Sequence, residues 1–546
     1  MNLLHLFHAA KYLKSVQIYG RLWFKLYKPK PDMSSAPATR SIKADWVTPC
    51  KKNPSLLSTY CFQFLNQEHG LNSVKDWNNP QWEKLWLYNL HYFDDLQACD
   101  AENKKALHLD LIGKWIEENP PGMGNGWEPY PTSLRIVNWI KWALDRNGLP
   151  DDALYSMAVQ TRYLFKKLEY HLLGNHLFAN AKALIFAGLF FDGSEAELWL
   201  NKGLKILSKQ VPEQILGDGG HFELSPMYHS VILEDILDLI NIMRTYGRIL
   251  PVIWLSSVEK MHFWLKVMCH PDKKTGFFND CAFGIAPDLV DLEQYAVRLG
   301  FSNIESPREG INLLMDSGYA RLQKGDAVLI ADVGRIGPDY LPGHAHADTL
   351  SFEFSVRSKK ETPWQRIFVN SGISCYGNSR ERLMQRGTAC HNTLVVDGKN
   401  SSEVWDGFRV AKRAYPLGLE NEDKGKQGLW IRCGHDGYTR LKGKPVHWRE
   451  WCLKDNSLEI KDQVIGDFSE AVAFYHLYPG LVVDSRNRRI FSDDISMTYE
   501  TDANIIIENQ HYYPEFGKAV SNECLVVKPI RDEYYIKFKW DVRCEM

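Results

Sequence analysis

Residues 318–334, GYARLQKGDAVLIADVG, mark the point where the chain changes its hydrophobic period. The run is short, rich in Val, Ile and Tyr, and bounded by turn residues. Similar runs recur toward the C-terminus: LSFEFSVRS (350–358), QRIFVNSGI (365–373), HNTLVVDG (391–398) and SLEIKDQVIG (457–466). Many short strands without intervening helices predict an antiparallel β-sandwich. Upstream the pattern is different. TSLRIVNWIKWALDR (132–146), residues 153–173 and SPMYHSVILEDILDLINIMRTY (225–246) carry apolar residues at three- and four-residue spacing, the signature of amphipathic helices. Turn-forming stretches such as NPPGMGNGWEPYPT (119–132) separate them. A succession of helical hairpins predicts an all-α array or toroid. The reading is therefore an N-terminal helix and linker over 1–45, an (α/α) toroid over 46–310, and an antiparallel β-sandwich over 311–546. KPKPDMSSAPATRSIK (28–43) is Pro/Ser-rich and reads as a linker or extended strap.

At 546 residues the chain is too long for one core, so two large domains are expected. The composition, 45% hydrophobic and 24% charged, is that of a globular protein. A formal net charge of −2 excludes a global field that would draw the chain to nucleic acid, so attraction to an acidic substrate must come from a local cleft. The 18 Trp and 25 Tyr suit either a sugar-stacking cleft or aromatic helix packing. Eleven Cys, an odd number with no CxxC, read as free thiols. The N-terminal 31 residues are apolar and basic, but Lys11, Lys14 and Arg21 interrupt every apolar stretch. They make a poor secretory signal and no membrane span. They read as a docked surface helix, with peripheral membrane contact as the second reading. The cytoplasm is the expected compartment, with the periplasm as the alternative.

Four clusters carry chemistry. In HLLGNHLFANAKAL (171–184), Asn175 and His176 open a helix, and a plain N-cap beside a surface His accounts for them equally well. In GDGGHFELSPMYHSVILEDI (217–236), glycines close on His221 and Glu223 and then on Tyr228, where Pro226 also suits an ordinary helix start. In LPGHAHADTLSFEF (341–354), His344, His346 and Asp348 alternate, so an extended backbone would project all three to one face. Such a face either binds a metal or lines a polar cleft. In RGTACHNTLVVDG (386–398), His391 and Asn392 enter a strand.

In combination the motifs resemble the heparinase II/III superfamily, which includes alginate lyases of the same architecture. The stretches that carry the likeness are NLHYFD (89–94), WEPYPTSLRIVNW (127–139), GNHLFANAKAL (174–184), DGGHFELSPMYH (218–229), GHAHADTLSFEF (343–354) and RGTACHNTLVVDG (386–398). The resemblance implies a toroid followed by a sandwich, and a lyase that cleaves a uronate-containing polysaccharide by β-elimination. Such an enzyme must neutralise the uronate carboxylate, remove the C5 proton and protonate the departing C4 oxygen. The resemblance assigns neutralisation to Asn175 and the acid role to Tyr228, with His176 and His344 as candidates for the base. A basic Tyr228 would need a neighbouring cation, for which His344 or Arg386 is available. Tyr92, Trp127, Tyr130, Arg135, His221, Glu223 and Arg386 are implied to shape the cleft and contact sugar. No cofactor is required. Several family members hold a structural zinc through two His and an Asp. His346 and His391 match the two His, but Asn370 stands at the Asp position, and Asp348 is the available substitute. Asp280, in NDCAFG, reads as a hinge or cleft-floor residue. An acidic polysaccharide is the expected partner.

Two other classes compete. A glycoside hydrolase needs paired carboxylates about 5–9 Å apart, for which Glu128, Asp218 and Glu223 are available. A non-catalytic carbohydrate-binding or assembly protein would need only the fold, and has no chemical reason to keep Asn175, His176, Tyr228 and His344 together.

Overall fold

The computed structural model describes residues 3–540 except 147, 303, 359–360 and 530–531. Two helices, α1 (Leu3–Ala10) and α2 (Ser15–Leu26), precede an extended segment and a small antiparallel sheet of Leu56–Ser58, Cys61–Phe64 and Gln67–Gly70. The toroid follows: α3 (Lys84–Tyr92), α4 (Lys105–Glu118), α5 (Pro129–Arg146), α6 (Asp151–Lys166), α7 (Gly174–Phe190), α8 (Ser194–Gln214), α9 (Pro226–Thr245), α10 (Val252–Met268) and α11 (Leu289–Arg298). Nearly every side chain of α7 is buried, as expected of a helix apolar on all sides. It lies tight against α8. A Cβ at Gly188 would sit 2.5 Å from the Leu200 nitrogen, so only glycine permits that approach.

From Gly310 the chain is mostly strand. Gly310–Leu314, Tyr319–Lys324, Ala327–Asp332, Phe352–Val356 and Gln365–Phe368 form a five-stranded antiparallel meander in sequential order. An eight-stranded antiparallel sheet runs from Pro416–Asp423 at one edge to Val482–Asp484 at the other, and a four-stranded sheet ends on Leu394–Val396. Leu322, Phe352, Phe354, Phe368, Trp451, Tyr475 and Phe538 share one apolar core drawn from all three sheets. This is the toroid-plus-sandwich architecture that the change of period predicts.

Two features differ from that reading or sharpen it. The sheet at 56–70 was not foreseen, because strands of three or four residues are too short to show a period. The Pro/Ser-rich stretch is a strap laid along the toroid. Arg40 N–H donates to the Phe190 carbonyl (2.7 Å), Asp192 N–H to Ala38 (2.7 Å) and Lys43 N–H to Thr245 (2.7 Å). Ahead of it, α2 bridges the two halves. Lys14 pairs with Glu213 of α8, and the Gln17 amide donates to the Tyr340 carbonyl at 3.1 Å. The ten cysteines among the described residues are free.

Candidate active site

The turn after α10 carries Asp280, a wholly buried carboxylate ringed by N–H donors from two imidazoles and a guanidinium. His344 Nδ1 donates to Oδ2 and His346 Nε2 to Oδ1, both at 2.8 Å. Arg382 grips the same carboxylate with both terminal nitrogens, one of them 2.7 Å from Oδ2. Burial alone would raise this carboxyl. Arg382 and the two imidazoles override that and hold it well below the usual carboxylate range. A carboxylate only accepts, so His344 carries a hydrogen on Nδ1, and its Nε2 is turned toward Glu223. Asn279 N–H donates to Asp348 Oδ2 (3.0 Å), and His346 N–H to the Asn279 side-chain oxygen (2.9 Å). The alternation of His344, His346 and Asp348 thus converges on one turn, although that segment is an irregular loop.

Tyr228 lies in the first turn of α9. Ser225 caps this helix by accepting from Tyr228 N–H (3.2 Å), and its hydroxyl donates to the Asp280 carbonyl. One serine therefore fixes the tyrosine's helix to the carboxylate's turn. The Tyr228 ring lies 3.9 Å from the His344 ring, centroid to centroid, and its hydroxyl is 2.8 Å from that of Tyr376. Burial, then Tyr376 and Asp280, push the Tyr228 phenol well above its ordinary value. It is a proton donor at neutral pH.

Asn175 and His176 open α7. His176 stacks on Tyr130 (4.5 Å) and its Nδ1 meets Glu169 at 3.1 Å. Burial opposes its charge, but Glu169, with Glu223 and Glu128 beyond, raises the imidazole above its usual value. Glu223 closes the ring of contacts. Its carboxylate lies 3.6 Å from His344 Nε2, and a Cβ at Gly174 would come within 2.6 Å of it. Both its oxygens are buried without a hydrogen bond of ordinary length, and burial pushes the carboxyl upward.

Residues 114–293 match the heparinase II/III N-terminus and residues 306–541 the heparinase II/III-like C-terminal domain. The chain belongs to the heparinase II/III family. It is 26% identical over 346 residues to a heparin-sulfate lyase of Bacteroides stercoris, covering 59% of this chain and 48% of that protein. It is 27% identical over 377 residues to the FtsZ-localized protein C of Caulobacter vibrioides, covering 66% of this chain and 61% of that one. A solved structure of heparinase III superposes with a TM-score of 0.66 at 19% identity, covering 87% of this chain and 78% of that one. The chain spans about half the length of the heparin-sulfate lyases it matches.

Several residues that the family likeness placed against sugar belong to packing instead. Trp127 is buried between Trp115 and Tyr163, and its indole N–H donates to the Asn119 carbonyl at 3.1 Å. Arg135 is wholly buried on the Trp115 ring. It donates to Gln160 and to the carbonyls of His91 and Gly126, so it pins the 126–135 turn rather than a carboxylate. His221 is enclosed, with Nε2 at 3.1 Å from the Gln214 side-chain oxygen. Tyr92 stands behind Tyr130 and is almost wholly covered. Arg386 spends its guanidinium on the carbonyls of Ala345 and Asp406. It positions the loop between His344 and His346 and offers Tyr228 no stabilising cation. Three site members escaped the sequence reading: Arg382, Tyr376 and Glu169. Asp280, read there as a hinge, is the hub.

The zinc site that the family implies does not fit these residues. His346 Nδ1 and His391 Nε2 face each other at 3.0 Å, which would suit two ligands. Asn370, however, is committed elsewhere: its amide donates to the Phe277 carbonyl (2.8 Å) and its oxygen accepts from Asn392 N–H (3.0 Å). Asp348 turns to Asn279, and the remaining nitrogen of His346 is held by Asp280. Among the described residues no group of three His, Cys, Asp or Glu is disposed to hold a metal. Elemental analysis of protein purified without chelator should find zinc far below one equivalent. A full equivalent would show that a third ligand moves in.

Behind the site, Glu353 accepts from the Phe277 and Asn370 amides (3.0 and 2.9 Å) and pairs with His270 (2.8 Å). Burial pushes its carboxyl to about 7, against the pull of Arg366 and the two amides. The unfolded chain releases this proton first, near pH ~4.3. Stability from the neutral group is therefore complete at lower pH and is lost as pH rises toward 7, a change on the order of 3 kcal/mol. Denaturant melts from acid to neutral pH should show that decline, and Glu353→Gln should flatten it. An unchanged slope in the variant would assign the decline to another group.

Proposed function

We propose that this protein is a polysaccharide lyase that cleaves a uronate-containing glycan by β-elimination. Family membership alone does not carry the activity, because one relative is named for its localisation. The side chains carry it. The decisive observation is the His344 imidazole, oriented by buried Asp280 and packed against the ring of Tyr228, whose phenol burial pushes well above its ordinary value.

In this reading the lone pair on His344 Nε2 takes the C5 proton. The C4–O bond breaks as Tyr228 O–H protonates the departing oxygen, and the electrons of the C5–H bond become the C4–C5 double bond. The Asn175 amide and the His176 imidazolium hold the uronate carboxylate, so negative charge that develops on it is stabilised. Acceptor and donor reach the sugar from the same wall, an arrangement that suits syn elimination. The hydrolase reading loses its carboxylate pair. Glu128 is bound to Lys84 and Tyr88, and Asp218 caps the Asp316 and Ser317 amides. Asp280 is locked by Arg382, which leaves Glu223 alone.

The test is a panel of uronate polymers, beginning with heparan sulfate because several relatives are named heparin-sulfate lyases. Ultraviolet absorbance from the new double bond should rise on at least one. Release of reducing ends without that absorbance would mean hydrolysis, and neither signal on any polymer would reject catalysis on uronate glycans.

A further inference from the structure

Helix α2 buries one face and leaves an apolar one outward. Gln17 and Gly20 are covered, and Phe24 stacks on His171 of the toroid at 4.1 Å, with Lys167 Nζ 4.3 Å from the Phe24 ring centre. Gly20 marks the closest approach, since a Cβ there would stand 3.2 Å from that of His171. The helix is thus anchored in one rotation. Ile18, Leu22 and Leu26, with Tyr19 and Trp23 beside them, project to solvent, Trp23 62% and Leu26 80% exposed. Their spacing at i, i+4 and i+8 makes one continuous stripe. Phe7 of α1 is exposed as well. An outward stripe of this kind is unusual on a globular surface and marks an interaction site.

Charge says what covers it. The first 31 residues hold Lys11, Lys14, Arg21, Lys25, Lys28 and Lys30 and no Asp or Glu. Lys14 is paired with Glu213, whereas Arg21, Lys25 and Lys28 have no carboxylate partner among the described residues. Arg21 and Lys25 run along one border of the stripe. A second copy of the chain meeting this face about a twofold axis would bring like charges together. A bilayer with anionic headgroups accepts both features at once: the apolar stripe enters the acyl boundary and the flanking cations meet phosphate. No helix among the described residues is long and apolar enough to cross a membrane, so the contact is one of lying on the surface.

We infer that α2 docks this protein onto membranes rich in anionic phospholipid. The inference is independent of the lyase reading. Docking would hold the active-site cleft near the bilayer, because Arg21, Phe24 and Lys25 line a cavity of ≈ 590 Å³ together with His171 and Phe408. The Phe408 ring lies 6.0 Å from that of His344.

Cosedimentation of the full chain with vesicles tests this directly. Wild-type protein should sediment with vesicles of equal parts phosphatidylcholine and phosphatidylglycerol, less with phosphatidylcholine alone, and less again at high salt. Leu22→Glu/Trp23→Glu should lower the partition by about tenfold or more. Arg21→Glu/Lys25→Glu should lose binding to the anionic vesicles selectively. The altered side chains are solvent-exposed, so melting temperatures should match the wild type and confirm folding. Wild-type protein left in the supernatant would overturn the inference, as would an apolar-face variant that sediments normally. A wild-type dimer by light scattering that Leu22→Glu/Trp23→Glu makes monomeric, without vesicle binding, would reassign the face to self-association.

Discussion

Tyr228→Phe is expected to lower kcat by about 10²–10⁴-fold, the usual worth of a positioned general acid. The phenol is the group best placed to donate, and its environment keeps the proton on it until the leaving oxygen needs it. Little else should change. The ring still stacks on His344, the Ser225 cap involves only backbone N–H, and the lost hydrogen bond to Tyr376 is worth about 1 kcal/mol. KM and glycan binding should therefore stay near wild type while the double-bond absorbance disappears. Retained turnover would remove Tyr228 from the acid role and leave Tyr376 as the nearest alternative hydroxyl.

Asp280→Ala should be costly in a different way. It strands Arg382 as an uncompensated buried cation and frees two imidazoles, a loss of about 3–5 kcal/mol in a denaturant melt. Asp280→Asn separates structure from chemistry. The amide nearly preserves shape, but it can no longer accept from every donor and loses control of which His344 nitrogen carries the proton. Its kcat should fall by about 10²–10⁴-fold, with a smaller loss of stability. The acid limb of the stability profile gives a second readout. Because the folded carboxyl is held low, its stabilisation is present above the unfolded pKa of about 3.9 and is lost as pH falls below it. In Asp280→Asn that part of the acid loss should vanish. Full activity in Asp280→Asn would show that the tautomer of His344 is set by something else.

The architecture was legible because two periods meet near residue 318, and pattern alone separates them. The candidate site was partly legible. Tyr228 and His344 come together as ring neighbours, and Glu223 lies between His344 and the start of α7, where Asn175 and His176 stand. Asp280 and Arg382 were misread or missed because their meaning lies in a pairing 102 residues apart, which spacing cannot carry. In RERLMQR (380–386) Arg382 lies in a short helix, Arg380–Gln385, and Arg386, four residues on, caps its end. Only the fold decides that Arg382 meets the carboxylate while Arg386 meets carbonyls. Trp127 and Arg135 erred in the opposite direction. Their residue types suit sugar, but burial is a property of neighbours, and the neighbours here are Trp115 and Tyr163.

The Asp280 cluster also orders events in time. Its carboxylate belongs to the toroid, and its partners His344, His346 and Arg382 all come later in the chain. During synthesis the helical half emerges first, carrying an acidic group that has no counter-charge. His344 is held in place only when the later part of the chain has left the ribosome and folded onto that carboxylate. A nascent or truncated chain therefore has helices but not the ordered Asp280 cluster, and that cluster becomes a report that both halves have been made.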